Sequence, residues 1–566
     1  MIRIGIHNTG YFSSCAIFKD NTLVFASPEE RISRIKFDNQ FPFNAIEKGL
    51  KYINATYDDV DEFIISWNPF INAASRYRAG FSRWTAHPMQ RLYSNVNAIL
   101  PKLERQEIDV CEQCVKYKNK EVKFTFVNHH FAHIGMSFHT SGFKESAIFI
   151  ADGYGENAST FLAMYGKNGL EILKEHKFPH SLGMFYATMT EFLGFNPEQD
   201  EWKVMGAGAY GNAEIYYHKL KNLLHVKEGE LELDLNYFNF YNFDSRGYYS
   251  QKMVTLLEGV CDFERDSQKV YDLAAATQRV FEEAASSLLQ WLHQQCPSIE
   301  NLCFAGGTAM NGLFNGKIKH LTPYKQVHVS FAPDDVGNAI GAVLYRQSIS
   351  LKALSPYWGL GFCDEVIEAL LQKYQISYQH VTSKVLPEVV ANYLAQGKIV
   401  AWFQGKMEFG QRALGNRSIL ADPRDMMMKE KLNRAIKYRE AYRPFAPAIL
   451  DEFGDAYFED YEYVPFMEKI LVFKEEVRHK VPTVVHEDST GRVQSVSKED
   501  NPRFYELIEA FYKLTDIPIL VNTSFNLAGE PIVCTPEDAI RTFFTSGLDC
   551  LVLGSFIINK DTNDFR

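Results

Sequence analysis

Within its first thirty residues the chain holds three short apolar runs, each stopped by a turn: "IRIGIHN", "SSCAIFKD" and "TLVFASPEE". Apolar β-formers broken by polar residues at this interval predict a meander or hairpin, so the fold has to be built around a sheet. A second strand pair follows in "AIFIADGYG" and "FLAMYGKNG", with a glycine-rich turn between its members. The block "DSQKVYDLAAATQRVFEEAASSLLQWLHQQ" spaces apolar residues at three and four and predicts a long helix. "NLCFAGGTAMNGLFNGKI" then reads as strand, glycine turn and helix start, and "FAPDDVGNAIGAVLY" as a turn before a small-residue helix. The periodicity breaks at "SISLKALSPYWGLGFCDEV" and restarts as helix and strand in "VLPEVVANYLAQGKIVAWFQG". A boundary is therefore expected near residue 355, dividing a mixed α/β (α+β) chain into domains 1–355 and 356–566. No internal repeat and no low-complexity tract is apparent.

With 566 residues each domain has enough chain to bury its own core. The formal charge is 59 − 70 = −11, which removes any global basic field for nucleic acid or an anionic membrane. Locally, "SRYRAGFSRWTAHPMQR" interleaves basic and aromatic residues, which suits either a DNA-contacting surface or a partly buried amphipathic helix. No apolar run approaches the roughly 20 residues needed to span a bilayer. The start lacks the apolar core of a signal peptide, and the expected location is cytoplasmic. Of nine scattered cysteines only Cys111 and Cys114, in "CEQC", form a close pair, and plain thiols are expected there.

Several stretches carry candidate chemistry. "GAGAYG" at 206–211 has dinucleotide-loop spacing, but the polar "QDEWKVM" stands where an apolar strand is required. A loop closely approached by a ligand stays open, with Lys203 as a phosphate contact. In "TFVNHHFAH" a helix would project His129 and His133 from one face, a turn apart, as two ligands of one metal require. Asp152 closes the apolar run "AIFIAD", and Asp335 lies in "PDDVGNAIGA". Two His and two Asp suit a divalent first-row metal. The spacing alone leaves ligands and satisfied polar residues both open. In "FAGGTAMN", Gly306 and Gly307 permit close approach of a ring or phosphate at a helix start near Asn311. Between Arg412 and Arg443 stand nine Lys or Arg against four Asp or Glu. Arg412, Arg417, Arg439 and Arg443 occupy turn-like contexts in which guanidinium forks converge on phosphate. "VNTSFNLAGEPIV" sets Asn522, Thr523, Ser524 and Asn526 after an apolar strand, a donor-rich edge for an oxyanion.

Taken in order, "EERISRIKFDNQFP", "HHFAH", "DGYGE", "GGTAMN", "DDVGNAIGA", "EFGQRALGNRSILADPR", "YREAYRPFAP" and "NTSFNLAGEPIV" resemble the NodU/CmcH family of O-carbamoyltransferases nearly end to end. The resemblance implies an N-terminal actin/hexokinase-like ATPase domain, similar to threonylcarbamoyl transferases, and a C-terminal acyl-adenylate-forming (YrdC-like) α/β domain. It implies that carbamoyl phosphate and ATP, the latter with Mg, become carbamoyladenylate in the C-terminal domain. The N-terminal domain then passes the carbamoyl group to an acceptor hydroxyl. By motif position His129, His133, Asp152 and Asp335 would hold a divalent metal, iron in this family. Gly306, Gly307 and Asn311 would line the adenosine pocket. Arg412, Arg417, Lys437, Arg439, Arg443 and Ser524 would handle carbamoyl phosphate and the ATP phosphates, with Asn416, Ser418, Asn522 and Asn526 beside them.

This chain departs from the family at the first strand turn. A His-Asp pair is usual there, and Phe12 and Ser13 stand instead. His7 is the nearest substitute, and His130 either contacts the acceptor or packs. The expected acceptor is a hydroxyl on a sugar or other small natural product, with a hydroxymethylated base in DNA as the second option. A non-catalytic nucleotide-binding sensor of the same fold is the rival class, and a homodimer is the assembly considered.

Overall fold

The computed structural model describes residues 1–9, 12–69, 71, 110–118, 120–242, 247–263, 265–351, 354–437 and 445–560. The "SRYRAGFSRWTAHPMQR" segment, Arg439, Arg443 and the side chain of Lys437 lie outside that description.

The chain makes two compact units. The first holds Met1–Glu29 and Asn39–Leu354, and the second holds Glu30–Asp38 together with the chain from Ser355 onward. A single division near 355 therefore misses one crossing, because the short segment after the third strand belongs to the second unit. Its two arginines find their hydrogen-bond partners there, which no local pattern announces.

In the first unit β1 (Ile2–Asn8), β2 (Ser13–Lys19) and β3 (Thr22–Pro28) form the expected antiparallel meander. β4 (Val60–Ile65) pairs parallel with β1, and β6 (Lys120–Val127) parallel with β4, while β5 (Val110–Tyr117) closes the edge antiparallel to β6. Helix α1 (His129–Ser141) follows directly. A second sheet repeats the plan. β7 (Ser146–Ala151), β8 (Ala158–Gly166) and β9 (Gly169–Lys177) form a meander, and β10 (Leu224–Lys227) and β11 (Glu230–Leu233) make a separate hairpin. After the long helix α2 (Ser267–Gln295), β12 (Asn301–Ala305) adds parallel to β7. Helix α3 (Gly312–Leu321) leads to β13 (Gln326–His328), parallel to β12, and α4 (Asn338–Gln347) completes the unit. The orders β3-β2-β1-β4-β6 and β9-β8-β7-β12-β13 are the same topology used twice. This duplicated plan is the actin/hexokinase-like arrangement that the family resemblance implies. It went unseen as a sequence repeat because a buried strand requires only apolar β-formers, and "IRIGIHN" and "SAIFIA" meet that need with different residues.

Close packing explains two glycine motifs. A Cβ on Gly211 would lie 2.0 Å from the Tyr271 carbonyl oxygen of α2, so the "GAGAYG" stretch is approached by a helix. α1 and α4 meet backbone to backbone. A Cβ on Gly135 would lie 2.1 Å from the Gly341 oxygen, and one on Gly341 would lie 2.0 Å from the Ala132 oxygen. Cys111 and Cys114 lie three apart on β5, so their side chains face opposite sides of the strand, and all nine cysteines are thiols outside any disulfide. Among the described residues no helix is long and apolar enough to cross a membrane.

The second unit is built on one mixed eight-stranded sheet. Its strands are β14 (Gln379–His380), β15 (Val400–Phe403), β16 (Arg417–Ala421), β17 (Ala446–Leu450), β20 (Gln494–Val496), β21 (Ile519–Ser524), β22 (Cys550–Leu553) and β23 (Phe556–Asn559). A small ribbon of β18 (Ile470–Val472) and β19 (Thr490–Arg492) stands beside it. Phe504, Leu507, Ile508 and Phe511 recur at helical spacing on the helix Pro502–Thr515 and are buried with Trp402 in the core of this unit.

Because the atoms facing Gly341 are backbone, they cannot yield as a flexible side chain would. Gly341→Ala is expected to lower stability by about 1–3 kcal/mol and to weaken metal binding with it. Denaturant unfolding checks this, and an unchanged midpoint would refute the tight crossing.

Candidate functional site

Asn128 caps α1, its side chain accepting the N–H groups of His130 and Phe131, and Gly142 ends the helix in the left-handed region. A buried carboxylate, Glu156 of "DGYGE", fixes the same end by accepting Asn68 N–H at 2.6 Å and His129 N–H at 3.0 Å. His129 and His133 then project from one face of α1. Asp152 follows the end of β7, and Asp335 lies in the 3-10 turn before α4.

Ligand atoms of His129, His133, Asp152 and Asp335 all lie within 4.8 Å of one another. Asp152 Oδ2 is 2.8 Å from His129 Nε2 and 3.3 Å from His133 Nε2, and Asp335 Oδ1 is 3.3 Å from both. The two Nε2 atoms face each other at 3.2 Å, where two lone pairs repel unless a proton or cation stands between them. Asp335 Oδ1 is buried and has no well-directed hydrogen bond. These donors fit a divalent first-row metal. Burial opposes charge on both imidazoles, yet Asp335 and Asp152 outweigh it, and both pKa values stand above the ordinary 6.5, that of His129 well above. Burial likewise disfavours both carboxylates, but their histidine partners hold Asp152 and Asp335 ionised far below the usual range.

Around this cluster the other expected residues take definite places. Gly307 N–H donates to Asp152 Oδ1 at 3.0 Å, so the "GGTAMN" turn orients a ligand carboxylate. Asn311 caps α3 and exchanges two hydrogen bonds with Gln278, at 2.9 and 3.0 Å. Lys203 pairs with Asp200 at 3.1 Å. His130 is buried and stacks on Phe161 at 4.8 Å, so of its two readings packing holds, and burial drops its pKa to about 3. His7 was only a candidate substitute near the acceptor. Its Nδ1 lies 2.8 Å from Ser66 Oγ, and its Nε2 lies 3.4 Å from Asp335 Oδ2, the oxygen turned away from the histidine pair. Thr9 Oγ1 donates to the same oxygen at 3.3 Å.

In the second unit the "EFGQRALGNRS" loop winds around Glu408, whose Oε1 accepts the N–H groups of Leu414 and Asn416 at 2.8 Å and of Arg417 at 3.2 Å. Arg417 departs from expectation. It is fully buried, donates to the carbonyls of Gln404 (2.6 Å), Asn416 (2.9 Å) and Leu360 (3.0 Å), and lies 3.5 Å from the Phe403 ring centre. Its Nη1 and Nη2 atoms are given to backbone carbonyls, while its buried Nε has no hydrogen-bond partner. Asn416 donates to Lys406 O, Ser418 Oγ accepts Gly415 N–H, and Asn522 donates to Ala413 O and Gln494 Oε1. Ser524 Oγ donates to Asn526 Oδ1 at 2.6 Å, and Asn526 ties down Leu527 and Glu530 carbonyls. Arg412 is half-buried on this loop, close enough to Arg492 that burial and the Arg412 cation together hold the Arg492 pKa well below its ordinary value.

Residues 2–344 match the family described as Carbamoyltransferase N-terminus, and residues 391–560 match Carbamoyltransferase C-terminus. The chain belongs to the carbamoyltransferase family. It is 33% identical to nodulation protein NolNO of Sinorhizobium fredii, over 99% of this chain and 80% of that protein. It is 35% identical to nodulation protein NolO of Bradyrhizobium diazoefficiens, over 77% of this chain and 79% of that one. With the 3'-hydroxymethylcephem-O-carbamoyltransferase of Amycolatopsis lactamdurans it shares 28% identity, over 78% of this chain and 81% of that enzyme. The protein is thus a carbamoyltransferase with a potential divalent-metal site in its N-terminal unit.

Sequence reasoning missed three residues of this carbamoyltransferase. Glu408 and Glu156 stand inside the quoted motifs, and a carboxylate in a glycine loop was the available signal. Arg492, in "STGRVQSV", had none.

A metal entering the first site has to displace the protons held by His129 and His133. Its apparent affinity is therefore expected to rise with pH and to go on rising above pH 6.5. Calorimetric titration across the neutral range measures this, and a flat profile would remove the histidine pair from the ligand set. His7→Ala leaves Asp335 Oδ2 with Thr9 but without the imidazole and should weaken metal binding about 10–100-fold, with partial recovery in His7→Gln. Equal affinity in all three proteins would leave His7 without that role.

Proposed function

We propose that this carbamoyltransferase works through carbamoyladenylate, formed from carbamoyl phosphate and ATP in a C-terminal unit related to YrdC-like acyl-adenylate-forming domains. The reading is carried by the apposition of Arg412 and Arg492. Two guanidinium groups near enough to repel, with Glu468 offsetting only part of that repulsion, favour an anion beside them, and carbamoyl phosphate with magnesium ATP brings several. Lys437, Arg439, Arg443 and Ser524 belong to the same site in this reading, while Arg417, Asn416, Ser418, Asn522 and Asn526 shape it from behind. Water attacks the phosphorus of carbamoyl phosphate and breaks its P–O bond, releasing phosphate and carbamate; a carbamate oxygen then attacks the α-phosphorus of ATP, and pyrophosphate leaves.

The carbamoyl group is then transferred in the N-terminal unit, where the acceptor hydroxyl attacks the carbamoyl carbon and AMP departs. His129, His133, Asp152 and Asp335 would hold a divalent metal, iron in the family reading. Such a cation supplies positive charge to a phosphate oxygen and so favours departure of AMP. Gly307 and His7 keep the two carboxylates turned inward, and Glu156 fixes the helix that carries the histidines. Gly306 and Asn311 line the adenosine side, with Lys203 as a more distant phosphate contact. The acceptor is a small molecule bearing a hydroxyl, a class that matches the hydroxymethyl group in the name of the Amycolatopsis relative.

The test separates the two sites. Wild-type protein is expected to exchange pyrophosphate into ATP only when carbamoyl phosphate is present, and Arg412→Ala to abolish the exchange. The pair His129→Ala/His133→Ala should keep the exchange and lose both metal and product. Exchange surviving in Arg412→Ala would sink the C-terminal assignment, and an acceptor screen by mass then identifies the product.

A further inference from the structure

We propose that the segment 30–38, given by the N-terminal half of the chain to the second unit, holds the two loops of the carbamoyladenylate site, with Arg31 and Arg34 as positioning residues. This rests on the C-terminal reading above. The segment is braced internally by Glu30. One Glu30 oxygen lies 3.1 Å from Arg31 Nε, the other accepts Phe37 N–H at 3.0 Å, and the Glu30 carbonyl accepts Arg34 N–H at 3.0 Å. Arg34 and Phe37 both take left-handed backbone, at φ 64° and 56°, a conformation that non-glycine residues keep only under such constraint.

From this braced segment each arginine reaches a different loop. Arg31 is 2% exposed and donates Nη2 to the Gly410 carbonyl at 2.8 Å, two residues before Arg412. Gly410 itself turns at φ 107°, so its carbonyl has a direction that needs a fixed partner. Arg34 donates Nη1 to Ile532 O at 2.5 Å and Nη2 to Pro531 O at 2.8 Å, and its Nε is 3.4 Å from Asp538. Those carbonyls end the loop that leaves Ser524. That loop is closed on its other side by Asn526, which donates to Glu530 O at 2.7 Å, and by Val533 N–H, which donates to Phe525 O at 2.9 Å. Asp538 in turn completes the capping box of the helix Pro536–Phe544. A planar fork that grips two successive carbonyls and a carboxylate is work that an ammonium group cannot reproduce. Within the second unit, then, the loop carrying Arg412 and the loop carrying Ser524 and Asn526 are both held by residues that precede them by more than 370 positions.

The experiment uses full-length Arg34→Ala, Arg34→Lys and Arg31→Lys beside Arg412→Ala. It reads KM and kcat of carbamoyl-phosphate-dependent pyrophosphate exchange, together with the metal content of each protein. Arg34→Ala is expected to lose roughly 10–100-fold in kcat/KM for the exchange, with metal content intact and partial recovery in Arg34→Lys. Arg31→Lys should show a smaller loss of the same kind. Normal exchange in Arg34→Ala, with none in Arg412→Ala, overturns the positioning role and leaves the C-terminal site standing. Loss of metal alongside loss of exchange shows general unfolding and also overturns it. Full exchange in Arg412→Ala removes the C-terminal reading itself, and this inference falls with it.

Discussion

The N-terminal unit depends on the contact of α1 and α4 at Gly135 and Gly341, where each glycine faces a backbone oxygen at a distance no Cβ tolerates. α1 carries His129 and His133, and the turn before α4 carries Asp335. With the helices this close, two imidazoles and a carboxylate from distant parts of the chain reach the same few ångströms. β7 delivers Asp152 from the other sheet, and Gly307 holds its second oxygen. The site is thus a meeting point of the two halves of a duplicated topology. Its charges are costly to bury singly, and they are tolerated because each carboxylate faces histidines that it helps to protonate, or a cation that replaces those protons.

The C-terminal unit solves a different problem. Its loops keep the Arg412 and Arg492 guanidinium groups near enough to repel, with Glu468 offsetting part of that repulsion. The scaffold does this with backbone carbonyls and buried carboxylates, Glu408 and Glu30 among them. Glu408 gathers three N–H groups, Arg417 gathers carbonyls from two loops, and Arg31 and Arg34 do the same from the segment 30–38. Arginine therefore has two uses here. Where its Nη atoms are given to carbonyls, as in Arg417, it holds the scaffold, and where it is set against another arginine, as with Arg412 and Arg492, the proposed function gives it an anion to bind.

Much of the local structure was legible. The opening meander, the helix over "HHFAHIGMSFH", the long helix from Ser267 and the strand-to-turn modules at Asp152 and Gly306 all follow from period and turn chemistry. The metal candidates were legible as residues of the right type at the right spacing. Three features were not. The duplication of the sheet is a topology, and strands of different sequence satisfy it. Arg417 and Arg412 share glycine-rich loop contexts in the sequence, yet Arg417 is fully buried among carbonyls and Arg412 is half-buried. His7 and His130 both looked available to an acceptor, and burial assigns one to Asp335 and the other to Phe161.

By itself the sequence determined the family, the elements that carry each motif, and the chemical type of the first site, because these rest on residue identity and short-range spacing. Only the tertiary structure decided that the four ligands share one cluster, that "GAGAYG" is packing, and that residues 30–38 serve the second unit. Each of those depends on atoms brought together across tens to hundreds of residues, and a local pattern carries no record of which distant carbonyl a guanidinium will meet.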